Sequence, residues 1–344
     1  MTDATALLDV RDLSVHFART TGWWQPAQVV RAVDGVSFRV ERGKTLAIVG
    51  ESGSGKTTTA LAVMRLVPMT SGTIRLGDSD LGRLAGAELL AARKRLQIIF
   101  QDPFSSLNPR QRAGDAVRAP LDLLDSGPRG GRRQRVNELF SAVGLRPEQQ
   151  HLFPHQFSGG QRQRINIARA LATNPELVVC DEPVSALDVA IRAQILNLLV
   201  RLQKELGLSY LFISHDMAVV EHLCDEIAVM YLGQIVEQAP RRAFFSSPLH
   251  PYSVALMSAV PTVAGGRARA ARRIKLTGDP PSPISPPPGC RFAGRCPVAI
   301  AACSEALPPL VEVAPGHAVR CIRVEVRDGV PRPPLALPDV VFSA

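Results

Sequence analysis

The chain has 344 residues, 46% of them apolar, which is a globular composition and longer than one hydrophobic core usually supports, so two domains are expected. Lysine and arginine number 40 against 31 acidic residues; the formal charge of +9 suits an anionic neighbour, nucleic acid or membrane surface, and selects neither. No apolar run approaches the about 18–20 residues of a spanning helix, and the first residues carry no basic or long apolar segment, so the expected location is cytoplasmic, where six cysteines argue against a disulfide framework.

In chain order, Leu13, Val15 and Phe17 alternate with polar residues, as do Val36, Phe38 and Val40, which predicts half-buried antiparallel strands. The polar loop between them holds Trp23 and Trp24, read first as a packing cap and second as a contact surface. Leu46-Ala47-Ile48-Val49 is an apolar strand, followed directly by Gly50-Glu51-Ser52-Gly53-Ser54-Gly55-Lys56-Thr57. This octet fits G-x-x-x-x-G-K-[ST], and the helical run from Thr58 completes the strand, turn and helix that the motif requires. Its glycines let successive N–H groups bend inward to phosphate oxygens, and the helix adds its positive end. Lys56 is expected to reach the β- and γ-phosphates, and the Thr57 hydroxyl to ligate Mg²⁺. An ordinary Gly-Ser loop is the competing reading; the flanking strand and helix weigh against it.

A segment with Gly72 and Gly77 reads as a connection, followed by a helix around residues 87–95 and a short strand, Leu96 to Phe100, that ends at Gln101-Asp102-Pro103. From about residue 104 the pattern turns helical, with Val136, Leu139, Phe140 and Val143 as one apolar stripe. Phe157-Ser158-Gly159-Gly160-Gln161 then opens another helix, with Ser158 as its N-cap, and forms a second candidate anion-binding helix end. Leu177-Val178-Val179-Cys180 is a buried-type strand ending in Asp181 and Glu182, the Walker B pattern. Asp181 is expected to hold Mg²⁺ and Glu182 to polarise the attacking water as general base; an exposed acidic turn is the bland alternative. Cys180 reads as a small buried hydrophobe. Ser185-Ala186-Leu187-Asp188 precedes an amphipathic helix with Ile191, Ile195, Leu198, Leu199, Leu202 and Leu206 as its stripe and Gly207 as its stop. The strand Tyr210 to Ser214 ends at His215, a capped turn or a γ-phosphate contact. Strand–helix alternation through Met230 makes the fold α/β with a largely parallel sheet.

The order of these motifs resembles the ATP-binding subunit of ABC transporters over roughly residues 7–260: Walker A at Gly50 to Thr57, Q-loop Gln101, signature Phe157 to Gln161, Walker B Val178 to Glu182, D-loop Ser185 to Asp188 and H-loop His215. Phe157 stands where the family commonly has Leu, an apolar exchange. The resemblance implies a P-loop NTPase cassette with a RecA-like mixed sheet core, an N-terminal antiparallel β subdomain and a helical subdomain at about 102–172. It implies a head-to-tail dimer with an identical or sibling subunit, in which Ser158 and Gly160 of one copy touch the γ-phosphate held by Walker A of the other. The implied nucleotide set is Phe17 stacking on adenine (Trp23 or Trp24 as the alternative), the eight loop residues and Thr58, then Ser158, Gly159, Gly160, Gln161 and Asp188. Glu182, His215 and Gln101 are the catalytic set, and Thr57, Gln101 and Asp181 surround Mg²⁺.

Ser246 to Tyr252, with His250-Pro251-Tyr252 at its end, resembles the segment that follows the cassette in the oligopeptide/dipeptide branch, which includes nickel and glutathione importers. This implies an ATPase on the cytoplasmic face of the bacterial inner membrane, bound to two permeases and served by an external binding protein. Residues 261–288 read as a linker, basic through Arg267, Arg269, Arg272, Arg273 and Lys275 and then proline-rich. Residues 289–344 form a small extension in which Cys290, Cys296, Cys303 and Cys321 match the ligand count of a [4Fe–4S] cluster or a tetrahedral Zn²⁺. The absence of C-x2-C pairs favours the cluster over zinc; plain buried thiols are the third reading. A non-transport ATPase on ribosomes or DNA is the main competing class. The single cassette and the lack of an aromatic-plus-basic platform argue against it, so no nucleic-acid partner is expected.

Overall fold

The computed structural model describes residues 6–19, 28–259 and 274–335. Trp23, Trp24, Arg267, Arg269, Arg272 and Arg273 lie outside them. The chain opens with two long strands, β1 (Ala6–Arg19) and β2 (Gln28–Glu41), paired antiparallel. Leu13, Val15, Val36, Phe38 and Val40 turn inward as their alternation predicts. The central strand β3 (Thr45–Val49) feeds the phosphate loop and α1 (Lys56–Val63). The segment with Gly72 and Gly77, expected as a connection, contains β4 (Ser71–Leu76) and β5 (Ser79–Asp80). The first sheet runs β2-β1-β4-β5.

After α2 (Gly86–Arg95) and β6 (Leu96–Ile99) come three helices, α3 (Ala113–Leu123), α4 (Arg132–Ala142) and α5 (Gly159–Ala170), which form the helical insertion. The stripe Val136, Leu139, Phe140 and Val143 is buried there. Next follow β7 (Leu177–Asp181), α6 (Val189–Leu206), β8 (Ser209–Ser214), α7 (Met217–Leu223), β9 (Glu226–Tyr231) and β10 (Gln234–Pro240). On α6, Ile195, Leu198, Leu199 and Leu202 are buried, but Leu206 is half exposed because the helix runs past the core before Gly207 ends it in the left-handed region. Two short helices, α8 (Arg241–Ser246) and α9 (Pro251–Ser258), close the cassette.

The extension adds the hairpin β11 (Val311–Ala314) and β12 (His317–Val319), then a second hairpin, β13 (Glu325–Arg327) and β14 (Val330–Arg332). The second sheet has eight strands in the order β11-β12-β10-β9-β3-β8-β7-β6, parallel from β9 through β6. The extension therefore continues the cassette's own sheet through β12 on β10, which its composition did not foretell. Strands β3 and β8 are buried on both faces: Leu46, Ile48, Leu211 and Ile213 pack toward the first sheet, and Ala47, Val49, Tyr210 and Phe212 toward the helices. This explains why they read as unbroken apolar runs. Among the described residues, no helix is long and apolar enough to cross a membrane.

Candidate functional site

The carboxyl ends of β3, β7 and β8 lie side by side, so Gly50, Asp181, Glu182 and His215 emerge at one edge of the sheet. Gly50, Glu182 and His215 line a cleft of about 650 Å³ together with Thr58, Gln101 and the rest of the phosphate loop except Ser54; Asp181 lies beside it, bonded to Thr57. Gly55 caps α1 with φ 106°, and no side chain caps the helix, which leaves its first N–H groups free for an anion. The Lys56 ammonium donates to the Gly50 and Glu51 carbonyls at 2.9 and 2.8 Å. Burial lowers its pKa, against the pull of the carboxylates of Glu182, Asp181 and Glu51.

The Thr57 hydroxyl donates to Asp181 Oδ1 at 3.1 Å. Asp181 is buried, and desolvation raises its pKa. A cation at this pair would offset that desolvation and favour the charged carboxylate, so the donor set fits Mg²⁺. Glu182 has φ 46°, uncommon for a side chain of its kind, and its N–H donates to the Ile213 carbonyl at 3.0 Å. Its carboxylate is held from both sides. Gln101 Nε2 donates to Oε2 at 2.9 Å, and His215 Nδ1 lies 3.0 Å from Oε1.

Not every predicted residue arrives in the cleft. Phe17 lies across from Val30, on the same ribbon face but one strand farther out; Val30 lines the cleft, whereas Phe17 stands outside it and is 42% exposed. Ser54 is buried behind the loop, its N–H bonded to the Glu51 carbonyl at 3.2 Å. Ser158, Gly159, Gly160 and Gln161 open α5 elsewhere on the molecule, and Asp188 caps α6 through the Ile191 N–H at 2.9 Å. Ser158 and Gln161 form a reciprocal capping box at 3.3 and 2.9 Å. The cleft also takes in Arg31, Gly233, Leu256 and Pro283, which sequence reasoning missed because nothing local marks them.

A family description, ABC transporter, matches residues 33–185, and a second, oligopeptide/dipeptide transporter C-terminal region, matches residues 236–303. The chain is 49% identical over 317 residues to a probable peptide ABC transporter ATP-binding protein of Sinorhizobium fredii, covering 92% of this chain and 89% of that one. The chain belongs to the ABC transporter family. This ABC ATPase is also 46% identical over 319 residues to the dipeptide transport ATP-binding protein DppF of Escherichia coli, covering 93% and 95% of the two chains. Its fold matches a dimeric ATP-binding cassette in a post-hydrolysis state bound to ADP and phosphate, with TM-score 0.60 and 27% identity over 68% of this chain and 99% of that one.

The four cysteines of the ABC ATPase's extension line one small gap, beside His250 and Phe292. Burial raises the pKa of Cys290 and Cys296 and pushes Cys321 up to about 11. Backbone N–H groups oppose this, from Phe292 and Ala293 to Cys290, Val298 to Cys296 and Arg323 to Cys321. Among the described residues, no group of three or more His, Cys, Asp or Glu side chains is arranged to hold a metal as it stands.

Proposed function

We propose that the chain is the ATP-hydrolysing subunit of an importer of di- or oligopeptides. The observation that carries the hydrolytic part is the Glu182 carboxylate, aimed into the phosphate-loop cleft and gripped by Gln101 and His215. Lys56 and the amides of the loop bind the β- and γ-phosphates, Thr57 and Asp181 hold Mg²⁺ with Gln101 nearby, and Glu182 takes the proton of the attacking water. Magnesium supplies charge neutralisation on the phosphates. The peptide assignment rests on the peptide and dipeptide transport roles of the relatives from S. fredii and E. coli and on the C-terminal match.

The signature residues Ser158 to Gln161 sit away from the chain's own cleft, which supports a head-to-tail dimer in which each copy completes the other's site. The partners are then a sibling or identical subunit, two permeases and, indirectly, an external binding protein. The chain works at the cytoplasmic face of the bacterial inner membrane. A [4Fe–4S] cluster on Cys290, Cys296, Cys303 and Cys321 is the finer cofactor assignment, ahead of Zn²⁺; it is supported by four thiols around one gap, with N–H groups directed at the sulfurs of Cys290, Cys296 and Cys321. Its check is iron and sulfide analysis, with absorbance near ~400 nm, after anaerobic purification.

The test of function uses Glu182→Gln. The variant should bind Mg-ATP like the parent and lose roughly 10²–10⁴-fold in phosphate release, the usual contribution of a general base. Tagged and supplied with ATP, it should bring two polytopic membrane proteins out of gently solubilised membranes. Near-parental hydrolysis would remove Glu182 from its role, and ribosomes or DNA without permeases would remove the transport assignment.

A further inference from the structure

The extension reaches the phosphate loop directly. Arg295, next to Cys296, forms a two-pronged pair with Glu51: Nη1 donates to Oε2 at 2.8 Å and Nη2 to Oε1 at 3.1 Å. The Arg295 side chain is 9% exposed and that of Glu51 32%. Nη1 also lies 3.3 Å from the Tyr231 hydroxyl, with the guanidinium 5.8 Å from the centre of that ring. Tyr231 packs on Tyr252 and Phe292, whose ring centres lie 4.7 and 5.3 Å away. Tyr252, on α9, accepts the Glu51 N–H at 2.8 Å, and the Glu51 carbonyl accepts from Lys56. Glu51 is thus tied through its side chain to the extension, through its N–H to α9 and through its carbonyl to the phosphate-binding lysine.

Glu51 also lines the cleft. A carboxylate at the mouth of a polyphosphate cradle repels its ligand unless its charge is offset, and partial burial strengthens the repulsion. We propose that Arg295 is a positioning residue of the nucleotide site, anchoring Glu51 and cancelling its charge so that the loop accepts a nucleoside triphosphate. The cysteine extension is then a structural part of the ATP site. This inference rests on the ATP-binding role proposed above. It concerns binding, so its effect falls on nucleotide affinity rather than on turnover at saturation.

The test measures Mg-ATP dissociation constants of the full chain for the parent, Arg295→Met, Arg295→Lys, Glu51→Gln and the Glu51→Gln/Arg295→Met double variant. Thermal unfolding and thiol and iron content are read on the same samples. Arg295→Met should weaken ATP by about tenfold, the size of one coupled charge pair. Its deficit should narrow at high salt, as an uncompensated charge is screened. Arg295→Lys should keep most of the affinity, since it keeps the charge and loses only the fork. Adding Glu51→Gln to Arg295→Met should restore most of the loss, because the repelling charge is gone. A mere clip between extension and cassette predicts the opposite: the double variant binds no better than Arg295→Met, and both unfold earlier. That result overturns the inference, as does parental affinity in Arg295→Met. A parent that binds no ATP overturns the proposed function together with the inference.

Discussion

At the residue scale, two glycines of the phosphate loop separate geometry from motif membership. A Cβ on Gly55 would stand 2.3 Å from the Ala32 carbonyl oxygen, at φ +106°, whereas one on Gly53 would meet nothing within 4 Å, at φ +78°. Gly55→Ala must displace backbone as well as adopt a strained dihedral; the expected cost is more than about 3 kcal/mol, with loss of nucleotide binding. Gly53→Ala should cost about 1 kcal/mol, from the dihedral alone. Thermal unfolding and ATP titration of the two variants check the contrast; equal effects would show that loop flexibility, not close approach, sets the requirement. Glu182 shows the same coupling of backbone to task. Its left-handed backbone turns the side chain off the end of β7 and into the cleft. The Walker B pattern placed a carboxylate there, but not this turn, because a dihedral depends on the bond to Ile213 across the sheet.

At the element scale, the strands that carry the site are joined by ion pairs at their other end. Glu176, just before β7, takes Arg95 from the end of α2 and Arg42 from the β2–β3 turn, the latter at 2.7 Å. The bond to Arg95, more than offsetting partial burial, holds the Glu176 carboxyl below its ordinary 4.5, with Arg42 adding to the effect. In the unfolded chain the carboxyl takes up its proton near that ordinary value, so the native advantage is complete above 4.5 and is lost as pH falls through the lower folded value. Glu176→Gln should therefore lower stability by roughly 1 kcal/mol at neutral pH, a modest figure because the pair is partly exposed. The deficit should vanish in acid. Urea melts across pH 3–7, a range of about four units around the carboxylate pKa, should show the two proteins converging; a constant gap would assign the loss to packing instead.

At the scale of the whole molecule, the extension and cassette share one sheet and one core. Strand β12 covers the edge of β10, His317 Nε2 lies 2.8 Å from Glu237 Oε1 in a buried pair, and Phe292 closes over Tyr231 and Tyr252. Deleting residues 289–344 should uncover that strand edge and take His317 from the buried Glu237 carboxylate, which keeps only the Leu249 and His250 N–H groups. The shortened chain is expected in aggregates by size-exclusion chromatography, with its thermal transition lowered or lost. A monodisperse, ATP-binding product would show that the cassette folds without its extension.

The nucleotide motifs were legible because each is local. A Gly-rich octet, a strand ending in two carboxylates and a capped helix start each carry their geometry within a few residues. The α/β class followed from apolar runs alternating with amphipathic stripes, and Leu206 departed where its helix outruns the surface it packs on. What the sequence could not hold were contacts between distant positions. Arg295 meets Glu51 across 244 positions, Arg291 meets Asp34 across 257, and Pro283 accepts the Arg31 N–H at 3.0 Å beside the cleft. No periodicity records such pairings, since they depend on which strand edge the extension covers. The amino-acid order determined which motifs and side chains the chain carries; the tertiary structure alone decided that its cysteine-bearing end packs against the phosphate loop, through the Arg295–Glu51 pair.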